Sequence, residues 1–160
     1  MTKNNGNDLT VSRIIKASPS AVWESWKNPE HLVKWWAPAP YQTVSTKHEF
    51  FAGGGFGTIM KAEDGTDVYN AEACFLEIVE HVRIVWTSAL KGEWRPNKDD
   101  MPFTAIITLE EHPEGTKYTA TALHQNDDDR QKHADMGFLD GWGTCIEQLG
   151  NLAEQFEQEK

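Results

Sequence analysis

The polar side chain best placed for chemistry is His124, which ends an alternating register of Tyr118, Ala120, Ala122 and His124 just before the acidic run Asp127, Asp128, Asp129. An imidazole there can accept or donate a proton, so it suits a ligand-orienting or general acid-base role, although a histidine at a strand end is most often simply satisfied or solvated. Tyr69 and Glu72 are a weaker acid-base pair, because three positions along a strand place them on opposite faces. The three aspartates lack the glycine and distal glutamate of a calcium loop, and none of the six histidines has a partner at i+4, so no metal or cofactor is expected. Gly53 to Gly57 lack the lysine and following helix of a phosphate loop. Cys74 and Cys145 sit alone in apolar stretches without a nearby cation, which reads as two buried thiols in a reducing cytoplasm rather than a nucleophile or a disulfide. A nucleophilic enzyme has no visible site.

The elements that must hold these residues begin with a strand at 9–16. Ser18-Pro19 and Asn28-Pro29 are helix starts, since Ser or Asn accepts from free first-turn amides and Pro at the first helical position loses nothing; two short helices follow, about 19–27 and 29–36. Turn glycines then divide the chain into antiparallel strands near 42–51, 55–62, 67–79, 82–90, 103–111 and 116–125. The segment 91–102 fits no strand and carries Trp94, a candidate lid. One helix of about 25 residues, from near Asp128 to near Phe156, closes the chain with a stripe of Met136, Leu139, Trp142, Ile146, Leu149 and Phe156. Gly137, Gly141, Gly143 and Gly150 interrupt it, each costing on the order of 1 kcal/mol against Ala, so close approach of the sheet or room for a ligand must compensate.

The 160 residues suffice for one domain, expected over 9–157 behind a disordered polar tail at 1–8. A formal net charge of −10 with scattered cations argues against nucleic acid and anionic membrane, and no apolar run approaches the roughly 18 residues of a span. If alternate strand positions face the helix, then Phe56, Thr58, Met60, Ile84, Trp86, Phe103, Ala105, Ile107, Leu109 and Tyr118 join His124 on the inner side, with Phe138 or Leu139 and Trp142 opposite. Each alone reads as core more readily than as ligand contact; the aromatic excess and the helix glycines favour a cavity collectively.

The order of strand, two short helices, six strands and long helix resembles the helix-grip fold of the START and birch-allergen superfamily, an α+β class in which a curved antiparallel sheet of about six to seven strands wraps a C-terminal helix. Val22-Trp23, Asn28-Pro29-Glu30, Trp35-Trp36 with Pro38, Gly53-Gly54, Met60, Asp64-Gly65, Phe75 to Ile78, Arg83 to Trp86, Gly115-Thr116 and Gly141-Trp142 resemble the family of heat-shock chaperone ATPase activators, also called polyketide cyclase-like. Phe51 stands where the family's Asp-Leu-Arg-x-Gly-Gly pattern has its Arg. The resemblance implies a hydrophobic cavity between sheet and helix, which the alternating register would line with Phe56, Met60, Trp86, Phe103, Tyr118, His124, Phe138 and Trp142 and which a small aromatic or lipid-like molecule would fill. It leaves open a cyclase or aromatase acting in that cavity, a chaperone partner docked around Trp94 or Trp35, and a homodimer.

Overall fold

A computed structural model describes residues 6–159. Strand β1 (Asp8–Ile15) precedes α1 (Pro19–Lys27) and α2 (Pro29–Leu32), and both helix starts are built as their sequences dictate. The Ser18 hydroxyl accepts from the Ala21 amide, the Asn28 side chain accepts from the Glu30 amide, and each proline takes the first helical position. The second helix is shorter than expected, its last turns loosening before the buried Trp35. Residues 1–5 of the expected tail lie outside the described residues, whereas Asn7 is tied to the end of the last long strand.

Strands β2 (Gln42–His48), β3 (Gly55–Lys61), β4 (Asp67–Val79) and β5 (Arg83–Thr87) come next, and after a small hairpin come β8 (Phe103–His112) and β9 (Gly115–His124). They form one antiparallel sheet in the order β1-β9-β8-β5-β4-β3-β2. The segment expected to hold no strand contains that hairpin, β6 (Leu90–Lys91) paired with β7 (Arg95–Pro96), turned by Glu93 and Trp94 at positive φ. Two residues per strand are too few to leave a periodic signal.

The C-terminal helix departs most from expectation, being two helices, α3 (Asp127–Asp135) and α4 (Phe138–Gln158). Gly137 separates them at φ +91, a conformation open to glycine and costly for other residues, and its amide donates to the Ala134 carbonyl as a helix-ending turn requires. Met136 and Leu139, expected in the apolar stripe, are exposed, while Phe138 turns inward. Gly143 gives way to Arg13, since a Cβ there would stand 2.9 Å from its guanidinium, and Gly150 lies against Ile15; Gly141 faces open space. A Cβ at Gly150 would make only ordinary contact with Ile15 and one at Gly143 would meet only the flexible end of the Arg13 side chain, so close approach of the sheet does not account for the helix glycines.

Register sets one face of the sheet toward α1 and α4. Phe56 opposes Ala73, Phe75 opposes Trp86, Trp86 opposes Ala105, Leu109 opposes Tyr118 and Phe103 opposes His124. Apart from Phe103, which packs against it, and His124, these residues form the core with Val22, Trp26, Leu32, Ile146 and Leu149 from the helices and with Trp35 just beyond α2. Tyr69 opposes Met60 on this face and Glu72 opposes Gly57 on the other, so the two cannot act together.

Candidate functional site

The inner face carries a continuous assembly of rings. Phe56 packs on Trp86 with centroids 5.5 Å apart, Trp86 on Phe103 at 5.4 Å and on Trp142 at 6.4 Å, and Trp142 on Phe138 at 4.5 Å. These separations are those of favourable edge and offset aromatic pairs. Phe56, Trp86 and Phe138 are buried, whereas Phe103 and Trp142 keep part of their surface. Of the expected lining residues, five thus form one assembly and His124 joins through Phe103, at 6.0 Å. Met60 is half-buried opposite the exposed Tyr69. Tyr118 is buried deeper, its hydroxyl accepting the Trp26 indole N–H at 2.9 Å, and burial holds its phenol far above the ordinary pKa. That bond uses the hydroxyl oxygen as an acceptor within the core.

Trp94, the expected lid, rests on Gly53 in the loop between β2 and β3 and is half-exposed. The Glu93 amide donates to the Gly53 carbonyl beside it, and Asn97 fastens the hairpin by donating to the carbonyls of Glu72 and Ser88. Trp35, considered as a docking residue, is 2% exposed and donates its indole N–H to the Ser25 carbonyl, so it presents no surface to a partner.

Two residues of the assembly were not legible as such. Trp36 lies 5.0 Å from Phe56 and 5.9 Å from Trp86, half-buried where α2 gives out. His133 lies 4.8 Å from Phe103, 5.1 Å from Phe138 and 5.9 Å from Trp142. Counting by fours along α3 would have found it, because 129 and 133 are the buried positions of that helix.

Electrostatically the site is quiet. His124 Nδ1 lies 2.8 Å from the Asn7 carbonyl oxygen and His124 Nε2 lies 2.8 Å from His133 Nδ1. A carbonyl only accepts, so His124 Nδ1 carries a proton; with both rings neutral, His124 Nε2 then accepts from His133 Nδ1–H. Burial first, and the neighbouring His124 second, lower the His133 pKa to about 4. Asp129, beside them on α3, accepts from the Gln125 amide and is capped by Asn126. Among the described residues no three His, Cys, Asp or Glu side chains converge as metal ligands. Cys74 and Cys145 are both free, and burial pushes the Cys145 thiol up to about 12, far from a nucleophilic thiolate.

One buried indole nitrogen of the assembly has no partner among the described residues, nor have His48 Nδ1 and Thr43 Oγ1. Trp26 and Trp35 donate their indole protons, but the buried Nε1 of Trp86 finds no acceptor. Leaving such a donor unmet costs about 1–3 kcal/mol. Two surface clefts, of about 640 Å³ beside Lys16, Glu111 and Glu157 and about 440 Å³ beside Trp23, His31 and His81, include none of these rings. No helix among the described residues is long and apolar enough to cross a membrane.

Comparison with known proteins agrees with this geometry. A crystal structure of a protein from Nitrosomonas europaea is 36% identical, superimposes with a TM-score of 0.89, and the match covers 98% of this chain and 99% of that one. An Arthrobacter aurescens protein solved by NMR is 23% identical with a TM-score of 0.82, covering 96% of this chain and 90% of that one, and shows the same fold. So does a Mycobacterium smegmatis protein, 23% identical with a TM-score of 0.78 over 92% of this chain and 91% of that one. No curated protein matches the chain. The family model described as activator of Hsp90 ATPase homolog 1-like protein matches residues 16–154, and the chain belongs to that family.

Proposed function

We propose that the chain binds a small aromatic or amphipathic molecule among Trp36, Phe56, Trp86, Phe103 and Trp142, between the sheet and α4. The observation that carries this reading is the unpartnered indole N–H of Trp86, set among rings of which Trp36, Phe103 and Trp142 remain partly exposed. Fully satisfied interiors are the rule, so an orphaned donor next to accessible apolar surface suits a ligand that brings an acceptor. Apolar area removed from water drives binding at about 25 cal/mol per Å², and the Trp86 N–H fixes orientation. Entry displaces the partly exposed rings rather than filling either surface cleft. The two free thiols suit a reducing cytoplasm.

The test is native mass spectrometry of the protein purified from its own cells, then thermal shifts with aromatic, fatty-acid and sterol-like compounds. A retained molecule, or a shift that grows with ligand concentration as mass action requires, supports the reading. An empty protein that no compound stabilises would sink it. A cyclase or aromatase reading draws on the His124–His133 pair beside the same rings. It is supported only if a compound that binds is also turned over and loses turnover, but not binding, in His124→Ala.

A further inference from the structure

We propose that His133 sets the specificity of this site: its Nε2 accepts a hydrogen bond from a hydroxyl of the bound molecule, selecting an uncharged hydroxylated aromatic over its ether or carboxylate counterpart. The inference rests on the reading that the inner face binds an aromatic molecule.

The polarity of the chain of bonds leads to it. The Asn7 carbonyl takes two protons from His124, one from the backbone amide at 3.1 Å and one from Nδ1 at 2.8 Å. His124 is thereby oriented with its Nε2 lone pair toward His133, whose Nδ1–H fills it. The remaining lone pair of the neutral pair is Nε2 of His133, which no hydrogen bond among the described residues engages and which is not among the fully buried polar atoms left without a partner, so it is open to a donor from outside. Around the His133 ring stand those of Phe103, Phe138 and Trp142, which offer a planar apolar ligand its contacts. Trp142 and Phe103 also touch Trp86, so one small molecule lying on these rings meets an acceptor at one side and a donor at the other.

Charge discriminates further. The depressed His133 pKa, near 4, keeps its ring from supplying a cation at neutral pH. A carboxylate would bring its lone pairs against another lone pair and gain no hydrogen bond from the neutral ring. An alcohol or phenol instead completes the relay. A site built to bond a hydroxyl discriminates strongly against the analogue that lacks it, because its own polar group is then left unpaired.

Three probes decide the matter: 2-naphthol, 2-methoxynaphthalene and 2-naphthoate, titrated into the full chain at about pH 8, where an ordinary imidazole is neutral. Affinity is read from tryptophan fluorescence and calorimetry. The informative variant is His133→Asn, whose amide N–H substitutes for Nδ1–H toward His124 while removing the distal acceptor. Wild type should bind 2-naphthol about tenfold more tightly than either other probe, the worth of one hydrogen bond. His133→Asn should bring 2-naphthol down to the level of the ether and leave the ether unchanged, and the His133 Nε2 ¹⁵N resonance of wild type should shift on adding 2-naphthol only. Equal affinity of wild type for naphthol and ether, or a preference that survives in His133→Asn, overturns the inference and leaves the binding reading standing. Failure of all three probes to bind wild type counts against the binding reading for small aromatics and removes the inference with it.

Discussion

The indole nitrogen of Trp26 and the hydroxyl of Tyr118 lie 2.9 Å apart, and each side chain is only 1% exposed. This bond joins α1 to β9 across the core, a polar crosslink in a region otherwise built of rings. Tyr118→Phe removes the acceptor, changes almost no volume, and strands a buried N–H. It should cost about 1–3 kcal/mol in urea unfolding with an unchanged m-value. A loss under about 0.5 kcal/mol would mean that water or relaxation satisfies Trp26.

His133 couples stability to pH. Its ordinary value of 6.5 applies to the unfolded chain and about 4 to the folded one, so between these the unfolded chain holds more protons. Stability is therefore complete above 6.5 and is lost as pH falls toward 4. The half-buried His48, whose pKa is also lowered chiefly by desolvation, acts in the same direction. Unfolding followed from about pH 7.5 to 5 should show a decline of about 1–2 kcal/mol once solvent screening is allowed for, and His133→Asn should remove much of it. A slope that is the same in the variant would assign the titration elsewhere.

Gly53 and Gly137 separate backbone strain from steric conflict. Both adopt positive φ, +89 and +91, but a Cβ at Gly53 would stand 2.6 Å from the Trp94 indole nitrogen while one at Gly137 meets nothing within 4 Å. Gly137→Ala should cost about 1 kcal/mol, the strain alone. Gly53→Ala should cost about 1–2 kcal/mol more, and the excess should vanish when Trp94→Ala is added. If the two glycine variants are equally destabilised, Trp94 swings aside freely.

How much of this is legible in the sequence depends on which signals are local. Ser18-Pro19 and Asn28-Pro29 announce their helices because capping is settled within four residues. Alternation along 103–111 and 116–125 names the inner face correctly, since a strand's period of two survives any twist of the sheet. In the sequence Gly137 is one costly glycine inside a helix, and only its positive φ shows that it ends one helix and starts another. On either side of the break Met136 and Leu139 lie on the surface, whereas His133 is buried. Sequence spacing brings His124 forward, but its partners, Asn7 at a distance of 117 residues and His133 across a turn, depend on tertiary docking. Trp94 is conspicuous as an aromatic in a long loop, and nothing in its neighbours says that it rests on Gly53.

Trp86 offers the last and most direct test, because removing a side chain normally destabilises and here part of the loss should be recovered. Trp→Phe in a tight core deletes apolar contacts and opens a void, costing about 1–3 kcal/mol wherever it is made. At Trp26 the same change also strands the Tyr118 hydroxyl, adding to the loss. At Trp86 it instead deletes a donor that has no partner, returning a comparable amount. Trp86→Phe should therefore be at least about 1 kcal/mol less destabilising than Trp26→Phe in the absence of ligand, while weakening any ligand whose acceptor the indole meets. Equal losses at the two positions, measured by urea unfolding at matched conditions, would show that water already satisfies Trp86 and would take away the observation on which the binding reading rests.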